Sequence, residues 1–223
     1  MLSKFSPYIL TVLVFNVVPI LGVAFYEWSP FEMFWLFWME TLIISFFNTI
    51  RVLFSQGRLP GTTADHSSMQ LQLLPSIKYL VLRVLVFLFY SLFIIVFIGF
   101  VAHKEKDPVT VIQTIAFQNF LFNLALVLSI GTNAYYLIRY FFVNGAYQYS
   151  KPADYAGIFD GRQIVIHIAV VAGAVGAVFL FERSNNPQYA SVWIISIFCI
   201  VKCIFEIVLY RRTSISKPIE LHY

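Results

Sequence analysis

The sequence predicts an all-α fold, a polytopic transmembrane helical bundle of about six helices with both termini cytoplasmic. It is 60% hydrophobic and only 12% charged, where a soluble domain carries roughly a quarter charged residues. The apolar residues fall in long unbroken blocks, each near the ~20 residues a helix needs to cross hydrocarbon. Alternating ten-residue segments, the pattern of an outer-membrane barrel, are absent.

The first helix is expected over 8–25 and the second over 31–54, joined by a turn holding Glu27, Ser29, Pro30 and Glu32. The opening residues resemble a secretory signal, with Gly22-Val23-Ala24 as a weak cleavage site. Asn16, Pro19 and the spans that follow favour a retained helix. A polar loop from Ser55 to Pro75 leads to the third helix, 77–101, which ends at the charged turn His103-Lys104-Glu105-Lys106-Asp107. The block from Val109 to Val143 exceeds one crossing, so its start is expected at the interface and the fourth helix over 115–142. A fifth over 162–181 and a sixth over 190–210 complete a single membrane domain covering residues 1–223.

An even number of spans puts both ends on one side. With the N-terminus inside, eleven Lys and Arg residues fall on the cytoplasmic side against Lys104, Lys106 and Arg183 outside. The positive-inside rule therefore selects that orientation and places the chain in the cell (inner) membrane. The net charge of +4 reflects this asymmetry, and no nucleic-acid partner is expected. Trp28, Trp35 and Trp193 are expected near the outer ends of their helices, in an aromatic belt. Ala169, Gly173 and Ala177 form a small-residue stripe suited to helix packing.

Ionisable groups inside a bilayer cost several kcal/mol unless paired, so each is a candidate for function. On the second helix Glu40, Ile44, Phe47, Asn48 and Arg51 share one stripe. Glu40 lies near mid-membrane, with Asn16 as its candidate donor. On the sixth, Cys199, Lys202, Cys203 and Glu206 form another stripe, and Lys202 and Glu206 are spaced to pair. Arg83, Asn133 and His167 lie at similar inner-leaflet depth. The candidate binding residues are Glu40, Asn48, Arg51, His167, Lys202 and Glu206, lining a polar cleft open to the cytoplasm. Snorkelling of Arg51, Arg83 and Lys202 to the headgroups is the plain alternative. Asn119 and Asn123 are expected to hydrogen-bond between helices. No catalytic residue, metal ligand set or cofactor is assigned.

The run Asn16-Val17-Val18-Pro19-Ile20-Leu21-Gly22, then Trp28-Ser29-Pro30-Phe31-Glu32 and Trp38-Met39-Glu40 with Asn48 and Arg51, resembles the opening of an uncharacterised prokaryotic membrane family. This is a domain-of-unknown-function family of multi-helix proteins. The similarity resumes at Asp160-Gly161-Arg162-Gln163-Ile164-Val165-Ile166-His167 and touches Lys202 and Glu206. The family pattern places histidines in its third and fourth helices. Here the corresponding stretches read Phe89-Tyr90-Ser91, Phe97 and Ser129-Ile130, so a metal or haem site built on those histidines would be incomplete. The resemblance implies a fold and a location, and no established activity.

Three functions fit these residues. One is binding or translocation of an ion, small solute or lipid headgroup in the cytoplasm-facing cleft. Another is a structural or accessory subunit of a membrane complex. The third, ranked last, is a metal-dependent membrane enzyme. Besides the lipid bilayer, a membrane-protein partner or a second copy of the chain is the expected company.

Overall fold

A computed structural model describes residues 7–26, 28, 30–58, 70–96, 108–157, 195–196, 199–205 and 207–208. The described residues are helical, without strands. In chain order the helices are α1 (Pro7–Phe25), α2 (Pro30–Phe54), α3 (Leu73–Phe93), α4 (Pro108–Ile115), α5 (Phe120–Tyr136) and the short α6 (Ala146–Tyr149). A π-helical stretch, Leu137–Val143, extends α5, and a 3-10 turn, Pro152–Asp154, follows α6. Residues 199–205 and 207–208 belong to a C-terminal helical segment. Three candidate spans among the described residues are long and apolar enough to cross a membrane: Phe31–Phe54, Leu73–Val96 and Ile112–Val143, the last running through the end of α4, α5 and the π-helical stretch. The expected fifth helix, 162–181, lies outside the described residues.

α2 is the central helix. Pro30 occupies its first position, where the missing N–H costs nothing. Glu32 in its first turn and Arg51 in its last both oppose the helix dipole. Phe31, Met33, Phe34, Leu36, Phe37 and Trp38 are all buried, so this half of α2 is enclosed on every side. They form one cluster with Val23, Trp28, Ile94, Phe122, Ala125 and Ile195. A second, smaller cluster joins Phe47 to Leu137 and Phe141 nearer the other end. α3 packs against α2 with one face only. Its other face leaves Ile77, Val81, Leu85, Leu88, Phe89 and Leu92 exposed, the inside-out apolar surface that suits lipid contact.

Two boundaries differ from those expected. α3 begins at Leu73, ahead of Pro75, because a proline in the first turn forfeits no helical hydrogen bond. The block after Pro108 is two helices. α4 closes with Phe117 N–H donating to Thr114 C=O (3.1 Å) and Gln118 N–H to Gln113 C=O (2.9 Å), a Schellman ending with Phe117 at φ +57°. Asn119 then starts α5, its side chain accepting from Phe122 N–H at 3.2 Å.

At the opposite end, residues 144–157 dock on the chain leaving α2. Gln56, Gly57 and Arg58 donate their N–H groups to the carbonyls of Tyr147, Ser150 and Gln148 at 2.8–2.9 Å. Gly57 turns there at φ +63°, a conformation glycine adopts without a Cβ penalty.

The expected aromatic belt is corrected at two positions. Trp28 and Trp35 are 3% and 6% exposed and belong to the core. Trp28 packs over Gly22, whose Cβ, were it alanine, would lie 2.4 Å from the indole. Trp35 stacks on Phe31 at 5.8 Å. Trp193 lies outside the described residues.

Candidate functional site

Glu40 is carried by the enclosed half of α2, where a lone carboxylate would be costly. Lys202 Nζ, on the C-terminal segment, lies 3.2 Å from Glu40 Oε2. The ammonium also sits 4.5 Å from the centre of the Phe37 ring, one turn before Glu40, a cation–π contact in a water-poor setting. The two side chains differ in access: 12% of Glu40's and 2% of Lys202's remains exposed. Both members of the pair are buried, Glu40 slightly less completely than Lys202.

This pairing bears on two expectations. Asn16 is the expected donor to Glu40; its amide donates to Val12 C=O at 2.8 Å within α1, and the cation at Glu40 is Lys202. Lys202 reaches across the bundle to Glu40, and it is buried, so it does not snorkel. Glu206, its expected partner, lies outside the described residues, as does His167.

The other end of the α2 stripe forms a separate group. Arg51 Nη1 donates to Asn48 Oδ1 at 2.7 Å, and the guanidinium lies 5.8 Å from the Tyr155 ring centre. Tyr155 is itself tied to Ser150, hydroxyl to hydroxyl, at 3.1 Å. Eleven residues of helix separate Glu40 from Arg51, about 16 Å along the axis. Of the six expected site residues, the structure thus brings together Glu40 with Lys202 and Asn48 with Arg51, as two centres along one helix.

Between them lies a group absent from the expected set. Arg83 on α3 is 2% exposed. It faces α2, with Nε donating to Ser45 Oγ at 2.7 Å and the guanidinium 5.7 Å from the Tyr79 ring centre. Ser45 in turn donates to Thr41 C=O, and Thr49 donates to Ser45 C=O. Ser76 on α3 donates to Thr49 C=O at 3.1 Å. Trp38 Nε1 donates to Ser91 Oγ at 3.0 Å and Phe87 C=O at 3.1 Å. The four-residue spacing of Thr41, Ser45 and Thr49 is the signal that could have marked this face. Asn133, at similar expected depth, donates to Ser129 C=O within its own helix.

At the start of α2, Asn119 Nδ2 donates to Glu32 Oε1 at 2.9 Å, the expected interhelical bond. Asn123 instead donates to Phe117 C=O at 2.6 Å and steadies the α4–α5 break. Among the described residues no three His, Cys, Asp or Glu side chains converge on a point that could hold a metal ion.

The family model described as "Family of unknown function (DUF6498)" matches residues 3–218. No curated protein and no solved structure matches the chain. With nearly its whole length matched, the chain belongs to the DUF6498 family.

Proposed function

We propose that this DUF6498 member binds or translocates an ion, small solute or lipid headgroup through its polar interior, with Glu40 as the exchange site. The observation that carries this reading is the buried Glu40–Lys202 pair. Removing one partner from a buried pair leaves an uncompensated charge, a loss of about 3–5 kcal/mol. A proton or small cation arriving at Glu40 would take the place of the ammonium, which then carries that cost until it is paired again. Phe37 lowers the cost of the intermediate by holding the displaced ammonium over its ring. The Arg83–Ser45 and Arg51–Asn48 groups extend the same line of polar side chains toward the far end of α2. Under the orientation set by the positive charges, that end is cytoplasmic.

The test is cation flux into proteoliposomes containing the full-length chain, read by an internal pH dye under an imposed potential. The reading expects flux above that of empty liposomes, and a Glu40→Gln protein that inserts normally but loses most of it. Equal flux in the wild type, the variant and empty liposomes would overturn it.

The same pair also supports a structural reading, in which it staples α2 to the C-terminal segment of an accessory subunit. That reading expects Glu40→Gln to disrupt folding or assembly and to leave no flux to measure in the wild type.

A further inference from the structure

A cavity of about 390 Å³ opens where the end of α1, the start of α2 and the α4–α5 break meet. Its size lies within the range of small-molecule sites, roughly 300–1,000 Å³. It stands eight residues along α2 from Glu40, about 12 Å by helical rise, and is built independently of that pair.

The walls have a definite chemistry. Glu32 is the carboxylate, Gln113, Gln118 and Asn119 supply amides, and Tyr26 and Trp28 supply rings. None of the described lining residues is Lys, Arg or His. Glu32 is held at both ends of its reach, in the first turn of α2 and by Asn119 at the start of α5. Trp28 is equally fixed. Its backbone N–H donates to Gly22 C=O at 3.1 Å, its indole lies against Gly22, and Phe122 stands 6.5 Å away.

A helix start alone would draw an anion, but here a carboxylate already occupies that position and would repel one. A carboxylate beside a fixed indole, an exposed phenol ring and amide oxygens is the environment that binds an organic ammonium group, through charge, cation–π attraction and N–H or C–H donation. We infer that this cavity, formed by Glu32, Trp28, Tyr26 and the neighbouring amides, is a binding site for a small organic cation. Its ammonium comes either from a soluble amine or from the headgroup of a lipid.

Choline is the probe, titrated into the full-length protein in phosphatidylglycerol nanodiscs and followed by tryptophan fluorescence. Saturable quenching is expected, lost in Trp28→Phe. The neutral analogue with a quaternary carbon in place of nitrogen should not compete. Glu32→Gln should weaken choline at least about tenfold, the equivalent of 1.4 kcal/mol. Gln118→Glu, which leaves the Asn119–Glu32 bond alone, should tighten it. Repeating the titration in phosphatidylcholine nanodiscs separates the sources. Competition there assigns the site to a lipid headgroup, and unchanged affinity assigns it to a soluble amine. Equal binding of the neutral analogue, or choline affinity unchanged in both Glu32→Gln and Gln118→Glu, would overturn the inference. Neither result depends on flux through Glu40.

Discussion

Lys202 Nζ reaches Glu40 Oε2 at 3.2 Å across 162 residues of chain, and both side chains leave water to do so. The pair's energetics follow from that burial. Glu40→Met or Lys202→Met alone strands a charge and should cost about 3–5 kcal/mol. The double substitution removes both charges and keeps similar volume, so most of the loss should return, as it does where buried pairs are replaced by apolar side chains. Thermal unfolding of the four proteins in one detergent measures the coupling. Additive losses in the double variant would mean that the two side chains act separately.

Arg83 raises a related question on the α2–α3 interface. Its Nε bond to Ser45 is short, at 2.7 Å, and enclosed. Ser45→Ala should therefore cost about 1.5–3 kcal/mol, the range for a hydrogen bond to a charged group. Arg83→Lys should not be conservative, because a single ammonium cannot both sit over Tyr79 and replace the Nε bond to Ser45. Unfolding midpoints of the two variants should both fall, and an unchanged midpoint in Ser45→Ala would show that the hydroxyl is dispensable.

The helical bundle was legible because bilayer crossing demands a long apolar run, and such a run survives any detail of packing. The same reasoning identified Glu40 as a residue needing a partner. It did not find the partner, because depth counted along separate helices placed Lys202 well below Glu40. A lysine stem spans several ångströms and erases that difference. The Trp residues misled for another reason: an indole suits a headgroup zone and a core equally, and only the approach of Gly22 to Trp28 decides between them. The α4–α5 break was hidden because its left-handed position is Phe117, where glycine would have announced it.

Gly22 supplies a sharper test of that packing. A Cβ at this position would sit 2.4 to 2.8 Å from three atoms of the indole. The ring is 3% exposed and backed by Phe122, so it has little room to retreat. Gly22→Ala should displace Trp28, costing about 1–3 kcal/mol as overpacking. Its emission should shift to the red, and choline affinity should fall with it. Emission and affinity both at wild-type values would mean that the ring accommodates the methyl group.

Asn119 joins two functions that substitution can separate. Its Oδ1 caps α5 by accepting from Phe122 N–H, while its Nδ2 donates to Glu32. Asn119→Ser retains a capping oxygen but cannot reach Glu32, so it should lose only the bond to the carboxylate. Asn119→Ala loses both, adding a capping cost of about 1 kcal/mol. The two variants should therefore bind choline with similarly reduced affinity yet differ in local stability. Amide hydrogen exchange of residues 120–123 reads that difference directly, since a lost cap frees the first turn of α5. Faster exchange in Asn119→Ala than in Asn119→Ser is the expected order. Equal exchange in the two would assign the start of α5 to the Glu32 contact, with the cap contributing nothing.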